Sequence, residues 1–331
     1  RHASQRLIQI ESDHNLNVAA DDPSDDFSSE TPQTFEQAPP AMKYSTGEWE
    51  GRLRAASAAL GAFPGILSSN VSFSAQRRTS YLVNTEGTRL EFGRNFARVV
   101  MVAGAKALDG MDLSVIRTFE ASDPARLPKQ ADLLKAVDDM GKELTALLSA
   151  PSVDPYVGPA ILSGRAAGVF FHEIFGHRVE GFRQKSEEEG QTFTKSVGKI
   201  VLPPFLSVDF DPTRKSLNGI DLNGFYLYDD EGVKARPVTV VEDGILKTFL
   251  MSRTPIQGFA HSNGHGRRQP GLEVVSRQSN LIVESKKQVS DAELRKMLIE
   301  EVQRQKKPYG LYFQDITGGF TTTQRAGLQA F

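Results

Sequence analysis

The stretch GVFFHEIFGHRVEG, residues 168–181, holds His172 and His177, with Glu173 directly after the first histidine. Two imidazoles are good donors to zinc, and a carboxylate beside one of them can take a proton from a metal-activated water; together they spell hydrolytic chemistry. In the familiar H-E-x-x-H pattern the histidines stand four apart on one helix face, whereas here they stand five apart. At about 3.6 residues per turn, positions five apart lie about 140° apart around a regular helix, so such a helix cannot aim both rings at one ion. Two escapes exist: a π-bulge, whose i to i+5 bonding brings the positions together, or an end to the helix just before His177. Gly176 serves either, because glycine accepts backbone angles that a β-carbon forbids and lets other chain segments approach closely. The alternative is two core histidines, hydrogen-bonded among Phe170, Phe171, Ile174 and Phe175.

A short apolar strand, GPAILSG, leads into this helix, whose start carries the small residues Gly164, Ala166 and Ala167. Upstream, residues 11–48 are rich in Asp, Ser, Pro, Thr and Glu without apolar period, so 1–48 reads as a linker or partly disordered segment. Trp49, Leu53, Ala56, Leu60 and Phe63 form the stripe of an amphipathic helix that Pro64-Gly65 stops. From 69 to 121 the runs NVSFSAQ, TSYLVN, TRLEFG, FARVVMVAGA and LSVIRTFEA predict an antiparallel meander of short strands. A second helix is expected over about 128–149, with Leu133, Val137, Met140, Leu144 and Leu147 on one face. Residues 49–150 therefore read as an α+β domain.

Beyond the histidine helix, the Gly- and Pro-punctuated stretch to 220, including VLPPFLSVDFDPT, reads as a long loop. Glu242-Asp243-Gly244 signals a hairpin, SNLIVES a strand, and Ser290 with Glu293 a capping box for a helix using Leu294, Met297, Leu298 and Val302. GLYFQDITGGFTT is expected to open a further hairpin. Residues 151–331 thus read as a second, strand-rich region that carries the H-E-x-x-x-H helix.

The chain has 331 residues, room for about two domains. Its 39 basic and 41 acidic residues give a net charge of -2, which supplies no field to recruit nucleic acid. No run of about 20 apolar residues spans a bilayer, and phosphate-loop and G-x-S-x-G motifs are absent. With no cysteine, disulfides and thiolate ligands from this chain are excluded. The chain starts at Arg1 without a targeting leader and is expected to be a fragment, its N-terminal domain incomplete and its C-terminal domain truncated. In the loop AHSNGHGRR, His261 and His265 are four apart without a helix to give that spacing meaning, and Arg267 and Arg268 could grip a substrate carboxylate or carbonyls. YDDEG, residues 228–232, offers carboxylates that orient metal ligands or a charged surface turn.

FHEIFGHRVEG, YDDEGVKARPVTVVEDGILKTFLMSRTPI and GHGRRQPGLEVVSRQSNLIVES, in that order, resemble the TldD/PmbA family of metallopeptidase-like proteins, with the match running from about residue 69 to 320. The resemblance implies an N-terminal α+β domain, a mainly antiparallel C-terminal domain, and subunits paired around an internal cavity. It implies zinc-dependent cleavage of small or unfolded peptides, including peptide maturation, in the cytoplasm, with export left open. Because the motif is intact, the chain is similar to the TldD-like branch; its partner would be a second copy or a PmbA-like subunit. Carried over by position, His172 and His177 would be zinc ligands and Glu173 the general base. The family's third ligand is a cysteine near the C-terminus, which this sequence lacks. Either the chain stops short of it, or Glu180, His261 or His265 substitutes. The alternative function is a noncatalytic, metal-free scaffold or partner subunit that binds a peptide without cutting it.

Overall fold

The computed structural model describes residues 22–185, 189–316, 318, 319, 321 and 323, and the fold is α+β. Helix α1 (Thr46–Gly61) is capped by the Ser45 side chain, which accepts from the Glu48 amide, and it buries Trp49, Ala56 and Leu60. Gly65, at φ 87°, turns the chain into the sheet. The meander has three long strands in place of the short runs expected: β2 (Ser68–Val83), β3 (Arg89–Lys106) and β4 (Asp112–Ala121). The polar pairs that looked like breaks, Arg77-Arg78 and Arg94-Asn95, lie opposite one another in the β2–β3 ladder, so each strand runs through them. Helix α2 (Gln130–Leu148) buries Leu133, Val137, Met140 and Leu144. With α1 it covers Ala97, Val99, Met101 and Ala103 of β3, which make the first hydrophobic core.

The stretch expected to be a connector is partly built into the fold. Residues 1–21 lie outside the described residues, but β1 (Thr34–Glu36) pairs in parallel with β3 from Arg89 to Glu91. Ser28 is buried; its amide donates to the Arg253 carbonyl at 2.7 Å, and Arg253 Nε donates back to the Ser28 carbonyl at 2.9 Å. Arg253 also makes a two-point contact with Glu86, at 2.7 and 2.6 Å. Planar two-point pairing of this kind needs arginine's fixed fork.

A second core lies further along the chain. Here β6 (Leu206–Phe210) stands inside the stretch expected to be loop. The small hairpin β7 (Ser216–Leu217) and β8 (Ile220–Asp221) follows it. With β9 (Val238–Glu242), β10 (Ile245–Leu246) and β13 (Leu281–Ser285), β6 builds an antiparallel sheet in the order β10-β9-β6-β13. The β9–β10 turn carries Asp243 at φ 51° and Gly244 at φ 79°, the left-handed pair that a tight hairpin favours. Strands β11 (Gly266–Arg267) and β12 (Val275–Ser276) form a second short ladder. The core holds Val208, Phe210, Val240, Val241 and Leu246, and against them Phe175 and Val179 from the histidine segment.

Strand β5 (Ala160–Leu162) pairs in parallel with β14 (Leu311–Phe313), so GLYF returns to an earlier strand, and among the described residues no hairpin partner follows it. Helix α4 (Asp291–Arg304) starts at Ser290 as expected, but none of its residues is fully buried. Among the described residues, no helix is long and apolar enough to cross a membrane.

Candidate metal centre

Helix α3 (Gly164–Phe170) begins where the Ser163 hydroxyl accepts from the Ala166 amide. The winding then changes twice: Phe171–Phe175 is π-helical, and Gly176–Val179 is a 3-10 turn. Both expected escapes are therefore in use. The π-turn carries His172 and Glu173, and the tighter turn begins just before His177. Gly176 itself has ordinary helical angles, φ -56° and ψ -47°, so its conformational freedom is not what the site requires. Space is the reason: a β-carbon there would sit 2.1 Å from Gln278 Oε1, and Gln278 Nε2 donates to the His172 carbonyl at 3.4 Å.

The result is convergence. The two rings stand 4.6 Å apart between centroids, at 71° to one another. His172 Nε2 lies 3.8 Å from Glu173 Oε1, and His177 Nε2 lies 4.0 Å from Glu173 Oε2. One donor atom from each of the three residues falls within 4.8 Å of the others. Two imidazole nitrogens and a carboxylate oxygen are the donor chemistry a zinc ion takes. Burial, reinforced by neighbouring His177, pushes the His172 pKa below the usual imidazole value, which favours the neutral form a metal needs.

Glu180, considered above as a third ligand, has another place. It is fully buried, and its Oε1 lies 3.0 Å from His177 Nδ1. Arg183 Nε donates to Oε2 at 2.8 Å, with Arg277 Nη1 at 3.3 Å. Burial alone would raise its pKa, but the bonds from His177 and Arg183 and the charge of Arg277 outweigh it and hold the carboxyl below its usual range. A carboxylate on Nδ1 fixes that nitrogen as the protonated one and leaves the Nε2 lone pair facing Glu173.

Neither loop histidine joins the group. His265 is fully buried: Nδ1 lies 3.1 Å from Asn263 Oδ1, and Nε2 lies 3.0 Å from Ser279 Oγ, so both ring nitrogens are engaged. Burial pushes its pKa down to about 4. His261 is exposed and pairs with Glu30 at 3.5 Å. Nor do the arginines meet the histidines. Arg267 stacks on Tyr226 and reaches Asp230 at 3.2 Å, and the Arg268 amide donates to the same carboxylate at 2.9 Å. YDDEG is a buried turn rather than a support for the metal group. Asp229 accepts from the Glu231, Val233 and Gly266 amides, and Glu231 accepts from the Arg253 amide.

A family model described as "PmbA/TldA metallopeptidase C-terminal domain" matches residues 155–328, more than half of the chain. The chain belongs to the TldD/PmbA family. It is 32% identical over 190 residues to a metalloprotease of Archaeoglobus fulgidus, covering 57% of this chain and 37% of that one. A metalloprotease of Methanothermobacter thermautotrophicus is 26% identical over 270 residues, covering 80% and 54%. The chain thus spans about a third to a half of the length of these relatives. Its fold is similar to that of TldE from Thermococcus kodakarensis, with a TM-score of 0.57 and 17% identity over 85% of this chain and 61% of that one. Within this TldD/PmbA chain the residues that the motif left unassigned are Glu180, Arg183, Arg277 and Gln278, which brace the histidine turn. Only the i, i+3 spacing of His177 and Glu180 hinted at one of them.

Proposed function

We propose that the chain is a zinc-dependent peptidase of the TldD-like branch, acting on small or unfolded peptides. His172 and His177 would hold the metal through Nε2. The observation that carries this reading is the convergence of both Nε2 atoms on the Glu173 carboxylate, at 3.8 and 4.0 Å, across a segment whose regular winding would separate them. Zinc, when bound, supplies a water with pKa near about 7 and polarises the scissile carbonyl. Glu173 is the general base: it takes the water proton and returns it to the leaving amine. Glu180, anchored by Arg183 and Arg277, keeps the His177 ring turned and its Nε2 free. Catalytic zinc normally has about three protein donors. Among the described residues Glu180 and His265 are engaged elsewhere and His261 is exposed beside Glu30, so none of these three candidates supplies the third donor.

The peptide would lie extended along strand edges within a cavity between paired subunits, the partner being a second copy or a PmbA-like chain. Phe170, Ile174, Tyr312 and Phe313 expose apolar surface that such a partner would cover. The deciding experiment is metal analysis with hydrolysis of an unstructured peptide. Glu173→Gln should keep the zinc and lower kcat by about 10²–10⁴-fold. Full activity in that variant removes Glu173 as base, and a metal-free protein that binds the peptide uncut favours the scaffold.

A further inference from the structure

Beyond β14 the chain comes back over the histidine turn. Thr321 Oγ1 lies 2.6 Å from the Glu173 carbonyl oxygen and 2.5 Å from Glu173 Oε2. Gly319 packs so tightly against the same side chain that a β-carbon would sit 2.6 Å from Glu173 Cγ. Thr323 is buried and its Oγ1 accepts from Arg183 Nη1 at 3.1 Å. Arg183 Nε donates to Glu180 Oε2, and Glu180 Oε1 meets His177 Nδ1. One short piece of chain therefore touches Glu173 directly and His177 through two links.

The geometry points to a clasp: Thr321 is a positioning residue for Glu173, and Thr323 is a positioning residue for His177 through Arg183 and Glu180. The inference rests on the peptidase reading above. A glutamate side chain left free loses rotamer entropy on ordering, and Thr321 holds it beforehand. The same hydroxyl meets the Glu173 carbonyl oxygen, so the backbone and side chain of Glu173 are held at one point. Gly319 is what lets the clasp close.

The two threonines should separate in their effects. Thr321→Val is expected to lower kcat about 10–100-fold, as misplacement of a reacting group does, with KM and zinc affinity within about twofold of wild type. Thr323→Val is expected to weaken zinc affinity about tenfold, the cost typical of losing an outer support of a metal ligand, while kcat at saturating zinc stays within a few-fold. Serine at either position should restore the wild-type values. An unchanged kcat in Thr321→Val, a serine variant as impaired as the valine one, or equal loss of both quantities in both variants overturns the clasp. Hydrogen exchange on the metal-free full chain tests it without chemistry: Thr321→Val should speed exchange of the Phe171–Gly176 amides, and unchanged rates overturn it. If the wild-type chain binds no zinc and cuts no peptide yet shows this protection, the peptidase reading falls and the clasp stands.

Discussion

The molecule carries two histidine pairs, and their spacings mislead in opposite ways. His261 and His265 stand four apart, as in a zinc-binding helix, yet one is exposed beside Glu30 and the other is sealed between Asn263 and Ser279. His172 and His177 stand five apart, and their rings meet at 4.6 Å. Sequence distance becomes spatial distance only through the backbone that carries it. The first pair sits in an irregular loop, whereas the second rides a π-turn that hands over to a 3-10 turn. The environments differ as well. His177 has one nitrogen tied to Glu180 and one directed at Glu173, while His265 has neither free.

The largest contrast should come from removing each pair. His172→Ala and His177→Ala are expected to abolish zinc binding and hydrolysis, and His172→Ala should do so with little loss of stability because its ring is half-exposed. His265→Ala should do the reverse, keeping zinc binding while costing about 2–4 kcal/mol through a cavity and unpaired buried partners. Metal analysis beside urea unfolding reads both, and zinc loss in His265→Ala would erase the distinction. A smaller effect sharpens the role of Glu180. Glu180→Gln keeps the volume but removes the charge behind His177, and zinc affinity, measured by competition with a chelator, should fall about 10–100-fold. No change would return Glu180 to a packing role.

A third effect is a pH slope beside His265. Its folded pKa of about 4 lies below the ordinary 6.5, so between those values the unfolded chain binds more protons, and this contribution is lost as pH falls. Asp229, whose carboxylate accepts from the amide of the next residue, Gly266, is pushed by burial to about 7 from 3.8. Between those values the folded chain binds more protons, so the Asp229 contribution is lost as pH rises. The two slopes oppose one another from about pH 4 to 6.5. Asp229→Asn leaves the histidine unopposed, and its stability relative to wild type should climb as pH rises through that window. Urea midpoints at several pH values measure it; parallel curves would remove the opposition.

What the sequence made legible was mostly local. The capping box at Ser290 and Glu293, the Asp243-Gly244 hairpin and the need for irregular winding near Gly176 all follow from neighbours within a few positions. What it concealed was long-range. Strand β6 is flanked by Pro203 and Pro204 and has no tight turn to announce it; its partners β9 and β13 lie far along the chain. The parallel pairing of β5 with β14 has no local signature at all. Burial of Glu180 could not be read from a residue type that usually faces water. Arg267 and Arg268 looked free only because Tyr226 and Asp230 are distant in sequence. Within the site, the three motif residues could be named, but the side chains that hold them arrive from residues 180, 183, 277, 278 and 321.

Gly176 and Gln278 occupy a single parcel of volume between them. Neither position can drift on its own: a methyl at 176 evicts the amide, and a bulkier group at 278 presses on the turn. Descendants of this protein that trade the glycine away should therefore carry a compensating truncation roughly a hundred residues downstream, a correlated pair invisible to any inspection of the histidine motif by itself.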